Sequence, residues 1–221
     1  MFINQWVQKV HTTAKTKGWW ESPREEMEIC QLFVTELAEA SECARNGEPH
    51  VHIGRIGDPN LPPFYTDRAT IEKHNGKEYL IDYAGCNGPT KPEGEAIELV
   101  DLLIRLGDYM GHKEWNLGEA IHAIDPVFTA DPTFEEVVMK AKGMMAPDDF
   151  SERPLVNHFE IVSLIVTATE SAEKTQPMKF AQVFLTTIGY MVHCGMDVEM
   201  ALEVKAAYNE KRPYRHGGKL A

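Results

Sequence analysis

Apolar residues recur at three- and four-residue intervals over most of this chain. Ile3, Trp6, Val7 and Val10 follow that period, which predicts an amphipathic helix over 3–17 closed by Gly18. The period runs on in "SPREEMEICQLFVTELAEASECARNG", where Ser22 as N-cap, Pro23 at the first helical position, early acids and Gly47 as the stop predict one long helix. It fails over 48–92, where Gly, Pro and Asn are frequent and "GKEYLIDYAG" reads as a short strand or hairpin arm. Helical spacing returns in "KPEGEAIELVDLLIRLGDYMG", followed by a short helix near 117–124. Residues 125–153, rich in Pro and Asp with a helix-like "TFEEVVMKAKGMM", read as a connector. Helical stretches at roughly 155–174, 178–194 and 197–211 complete the pattern. The expected fold class is all-α: a helical bundle with a small irregular or hairpin insert at 48–92.

The pattern also repeats. "EICQLFVT" (28–35) matches "EIVSLIVT" (160–167), and "YMGHKEWNLGEAI" (109–121) matches "YMVHCGMDVEMAL" (190–202) without gaps. The offsets, 132 and 81 positions, differ by a length that would delete the 48–92 insert from the second copy. Two homologous halves in one chain are expected: a catalytic unit at 1–124, the connector at 125–153, and a degenerate repeat at 154–221, packed as one compact domain.

Composition narrows the function classes. With 221 residues, 43% of them hydrophobic, and a mean hydropathy of −0.34, an ordinary globular core is expected. No apolar run approaches the ~18 residues of a membrane span, and the N-terminal segment lacks the pattern of a signal peptide. Cys30, Cys43, Cys86 and Cys194 show no C-x-x-C spacing, so reduced packing cysteines and a cytoplasmic location are expected. A net charge of −12 argues against a nucleic-acid polymer as partner. It leaves room for a small phosphorylated ligand held through a divalent cation.

Carboxylates carry the candidate chemistry. Glu36 and Glu39 lie three apart in one predicted helix, Glu98 and Asp101 three apart in another, each pair among apolar neighbours. Such spacing puts two carboxylates on one helix face, with Cβ atoms about 5–6 Å apart. Four converging acids would repel one another, and Mg²⁺, or Mn²⁺ in its place, would relieve them. A solvated acidic face would show the same spacing. Against that, the repeat puts Ala168, Ser171, Lys179 and Gln182 at the four matching positions. The second copy's own E-x-x-E, Glu170 and Glu173, is turned roughly 200° away, as a solvated pair would be. A di-iron site would need Glu-x-x-His on two helices, and only Glu119–His122 fits. "KAAYNEKRPYRHGGK" at 205–219 is strongly basic, either as a phosphate-handling segment or as a basic tail.

Taken together, Glu36-x-x-Glu39, Glu98-x-x-Asp101, "KGWW" (17–20), "KPEGEAIELVDLLIRL" (91–106) and the basic C-terminal block resemble the MazG-like nucleotide pyrophosphohydrolases. These belong to the all-α NTP pyrophosphatase superfamily, with the dimeric dUTPases. The chain departs from that pattern in the long gap from Glu39 to Glu98 and in the added unit at 113–194. The resemblance implies Mg²⁺-dependent hydrolysis of a nucleoside triphosphate to monophosphate and pyrophosphate, as housecleaning of nucleotide pools. It implies Glu36, Glu39, Glu98 and Asp101 as metal ligands, and Glu95 as a residue that orients or deprotonates the attacking water. Lys205 and Asn209, with Arg212 and Arg215, would contact phosphate or sugar, and Trp19 or Trp20 would stack on the base. Relatives with one unit per chain assemble from two chains, so a homodimer or a pseudo-dimeric monomer is expected. A dUTPase, or a non-catalytic nucleotide-binding or interaction protein, is the alternative.

Overall fold

A computed structural model describes residues 1–48, 50–53, 91–144, 150–212 and 214. These residues are all-α apart from a two-residue antiparallel pairing and an isolated bridge between Phe2 and Thr133. The helices are α1 (Ile3–Thr16), α2 (Glu26–Asn46), α3 (Glu95–His112), α4 (Leu117–Ile124), α5 (Phe134–Met144), α6 (Pro154–Thr169), α7 (Gln176–His193) and α8 (Val198–Lys211). The pairing joins β1 (His52–Ile53) to β2 (Pro92–Glu93), so the two ends of the 48–92 insert meet. Residues 54–90, with the expected "GKEYLIDYAG" arm, lie outside the described residues. Among the described residues, no helix is long and apolar enough to cross a membrane.

Gly18 and Gly47 end their helices as expected, with φ of 82° and 64°. The start of α2 differs from the Ser22–Pro23 signal. Glu25 is the N-cap, because Glu28 reaches back to accept its backbone N–H at 3.1 Å. That reciprocal acid pairing satisfies an otherwise open donor three residues later than Ser22 would.

The sequence "EAIELVDLLIRL" is apolar on almost every side, which only a central helix can satisfy. Accordingly Ala96, Ile97, Leu99, Val100, Leu102, Leu103 and Leu106 of α3 are inaccessible to solvent. Helices α1, α2, α7 and α8 all pack against it. Gly107 lets α1 approach closely, since a Cβ there would lie 2.6 Å from the Trp6 ring. The 125–153 region is more than a connector. Phe128, Phe134, Val137, Val138 and Phe150 are buried in the common core, and α5 packs on α7. The helical spacing of Phe134, Val137 and Val138 makes an apolar face that has to be covered.

Helix α7 reproduces α3 81 positions later at both ends, from 95 to 176 and from 112 to 193. After each comes a residue with positive φ, Glu114 (57°) and Gly195 (73°). A capping side chain follows: Asn116 accepts the Glu119 N–H at 2.9 Å, and Asp197 accepts the Met200 N–H at 3.0 Å. Packing is reciprocal as well. Helix α2 lies on α3 as α6 lies on α7, and α4 packs on α7 while α8 packs on α3. Two polar groups follow the same exchange. The Tyr109 hydroxyl and Gln176 Nε2 both donate to Glu26 Oε1, each at 2.9 Å. The Tyr190 hydroxyl donates to Glu95 Oε1 at 2.6 Å, with His158 Nε2 3.1 Å from the same oxygen.

Candidate functional site

Helix α2 buries the stripe formed by Ile29, Cys30, Phe33, Glu36, Leu37 and Ala40. That stripe carries Glu36 inward, facing Glu98 and Asp101 of α3. Each of these three acids offers a carboxylate oxygen, and the three oxygens lie within 4.8 Å of one another. Glu36 and Glu98 are each only 3% exposed. Glu39, by contrast, is exposed and stands outside the cluster. Three residues fall about 60° short of a full helical turn, which leaves Glu39 at the rim of the buried stripe. Its charge still acts on Glu36 and Glu98.

Burial and mutual repulsion govern the cluster. Glu36 is pushed up to about 7, first by burial and then by Asp101. Glu98 also rises to about 7 through burial, with Asp101 adding to the effect and Lys205 opposing it. Asp101 is held below its ordinary range despite its burial, because the Lys205 ammonium favours its charge. Each acid has a cation from the protein. Arg105 Nε donates to Glu36 at 2.6 Å, Lys205 Nζ lies 2.6 Å from Asp101, and Lys91 Nζ lies 3.5 Å from Glu98.

Asp101 also lines a cavity of about 520 Å³. Trp19, Trp20, Asn209 and Arg212 line the same cavity, together with Lys17, Arg24 and Arg105. Four of the expected substrate contacts and one expected metal ligand therefore share one space. Neither tryptophan is fully buried. Trp20 Nε1 donates to Asp108 at 2.8 Å, and its ring stacks on His112 with centroids 3.8 Å apart. Arg215 lies outside the described residues. Glu170 and Glu173 are exposed, as expected of a solvated pair, and so are Glu119 and His122.

Lys205 is placed apart from the other expected contacts. Its side chain is inaccessible and bound to Asp101, so it stands behind the acids rather than open to a ligand. The α8 backbone enters the bundle there, and a lysine on its buried face needs the nearest carboxylate.

Glu95, expected to orient or deprotonate water, is held by His158, His50 and Tyr190. Burial alone would raise its carboxyl, but contacts from His158, His50 and Tyr190 outweigh that and hold it down to about 2. A carboxylate so firmly held is a weak base. Its stabilising contribution is present above the ordinary value of 4.5 and is lost as pH falls toward 2. Tyr190→Phe is therefore expected to cost about 1–3 kcal/mol in urea unfolding at pH 6. The gap from the wild-type protein should close near pH 2. An equal gap at both pH values would contradict the role of the ionised Glu95.

Sequence reasoning missed Arg105, Arg24, Lys91 and His158. Arg105 is four residues after Asp101, so helical spacing alone would have put it beside the acids. Nothing in the local sequence singles out His158, which reaches Glu95 from the far half of the chain.

Comparison with protein-family models, with curated proteins and with solved structures gives no match for this chain.

Proposed function

We propose that this chain is a Mg²⁺-dependent nucleoside triphosphate pyrophosphohydrolase with the MazG-like bundle, built from two homologous halves. One observation carries the reading: the Glu36–Glu98–Asp101 cluster opens through Asp101 onto a cavity that Trp19, Trp20, Asn209 and Arg212 also line. The exchange of equivalent contacts between α3 and α7 supports the two halves. In the second half, Ala168 and Gln182 stand where Glu36 and Asp101 stand in the first, which leaves one site.

The donor set suits a hard cation. All three ligand atoms are carboxylate oxygens, and burial together with mutual repulsion pushes Glu36 and Glu98 up to about 7 despite their cations. Glu36, Glu98 and Asp101 would hold Mg²⁺, with Glu39 at the rim; the ion would neutralise phosphate charge and acidify a bound water. The chain's own groups do the rest. The cavity receives the nucleotide, its indoles offer aromatic faces to the base, and Asn209 and Arg212 meet sugar or phosphate. The water oxygen bonds to the α-phosphorus as the bond to the α–β bridging oxygen breaks. That electron pair leaves with pyrophosphate, and the water gives its proton to solvent or to a cluster carboxylate.

A second reading, a nucleotide binder without turnover, is favoured by the close pairing of Glu36 with Arg105 and of Asp101 with Lys205. A panel of standard, deoxy, oxidised and methylated triphosphates separates the two. The expected outcome is monophosphate and pyrophosphate in equal amounts, only when Mg²⁺ is present. Strict preference for dUTP would mark a dUTPase. Tight binding with no product over hours would favour the second reading, and orthophosphate as the sole product would refute α–β cleavage.

A further inference from the structure

We infer that Arg24 and Arg105 form a subsite for the distal phosphates of the nucleotide, holding the pyrophosphate as it leaves. The inference rests on the proposed reaction for its ligand, while the arginines themselves are placed by the fold. Both guanidiniums sit by one indole: Arg24 Cζ lies 5.1 Å and Arg105 Cζ 5.7 Å from the Trp19 ring centroid. Both line the 520 Å³ cavity, as does Arg212. Two like charges thus share one cavity, at a cost. Burial and then the neighbouring Arg105 charge hold Arg24 below its ordinary value, against Glu28 and Asp108, which favour its charge.

A hydrogen bond is also missing there. Among the described residues, the buried Arg24 Nη2 has no hydrogen-bond partner. A buried guanidinium nitrogen left unpaired is costly, and an oxyanion that bridges two guanidiniums removes both penalties at once. Arg105 connects this subsite to the acid cluster. Its Nε donates to Glu36, and a planar guanidinium carries further N–H donors that a phosphate can meet. A chain of phosphates fits that layout, with one end at Asp101 and the other between the guanidiniums. Negative charge builds on the β-phosphate as its bond to the α-phosphorus breaks, and fixed cations on that side would lower the barrier.

The test is calorimetric titration of the full chain with inorganic pyrophosphate, a nucleoside monophosphate and citrate, with Mn²⁺ titrated separately. Wild type is expected to bind pyrophosphate. Arg24→Gln should weaken that binding at least tenfold while leaving monophosphate and Mn²⁺ affinity within twofold, and Arg24→Lys should restore part of the loss. Arg105→Gln should weaken pyrophosphate as well. No pyrophosphate binding by wild type, or unchanged affinity in Arg24→Gln, would overturn the subsite. Citrate binding more tightly than pyrophosphate would overturn its assignment to phosphate. Pyrophosphate bound through these arginines by a protein that hydrolyses no triphosphate would uphold the subsite and defeat the enzymatic reading.

Discussion

Glu98→Gln is expected to push activity and stability in opposite directions. Removing one ligand charge from the acid cluster should lower Mg²⁺-dependent pyrophosphate release about a hundred- to a thousandfold, on the order of 3–4 kcal/mol of transition-state stabilisation. The same change should stabilise the metal-free protein at pH 8. Glu98 ionises at about 7 in the folded chain against an ordinary 4.5, so folding is penalised once the pH passes that interval. The sign follows from linkage: stability from this group is highest below 4.5 and falls as pH rises through 7. A shift of that size is worth up to about 3 kcal/mol, and coupling to Glu36 and Asp101 will reduce it. Urea unfolding without metal should therefore show the Gln variant ahead of wild type at pH 8 and level with it near pH 4. Glu39→Gln, at the exposed rim, should affect both quantities less. An active Glu98→Gln protein, or one less stable at pH 8, would count against a metal-binding cluster.

Lys205→Met should produce the largest loss of stability. The lysine is wholly buried and its partner Asp101 is 14% exposed, so removing the ammonium strands a carboxylate beside two other acids. Breaking one side of a buried pair typically costs about 3–5 kcal/mol, while removing both sides often costs little. The double variant Lys205→Met, Asp101→Asn should accordingly recover much of the loss. A double-mutant cycle in urea at pH 7 measures the coupling directly. Additive single effects would show that Lys205 holds α8 against α3 through its hydrocarbon stem alone.

These two residues also mark the limit of what the sequence discloses. Helical spacing identifies Lys205 and Asn209 as neighbours on the last helix, and Glu98 and Asp101 as neighbours on another. It does not say that α8 crosses onto α3, where Lys205 meets Asp101 and Asn209 reaches the cavity instead. The same blindness let Glu39 pass as the equal of Glu36. A three-residue interval is only approximately one face, and the packing of α2 on α3 decides which side is inside. Nor did the sequence show that Glu95 would be claimed by Tyr190 and His158, both distant along the chain.

The sequence by itself determined that the described residues are mostly helical and where most of their helices lie, because apolar periodicity is a local property of the amino-acid order. It also held matching stretches 81 residues apart, and α3 and α7, equal in length, begin and end at that same spacing. Only the tertiary structure decided which acids converge, which cations answer them and which side chains share a cavity. Those outcomes depend on the register and crossing of helices far apart in sequence, and they are fixed by packing a common core rather than by any one segment.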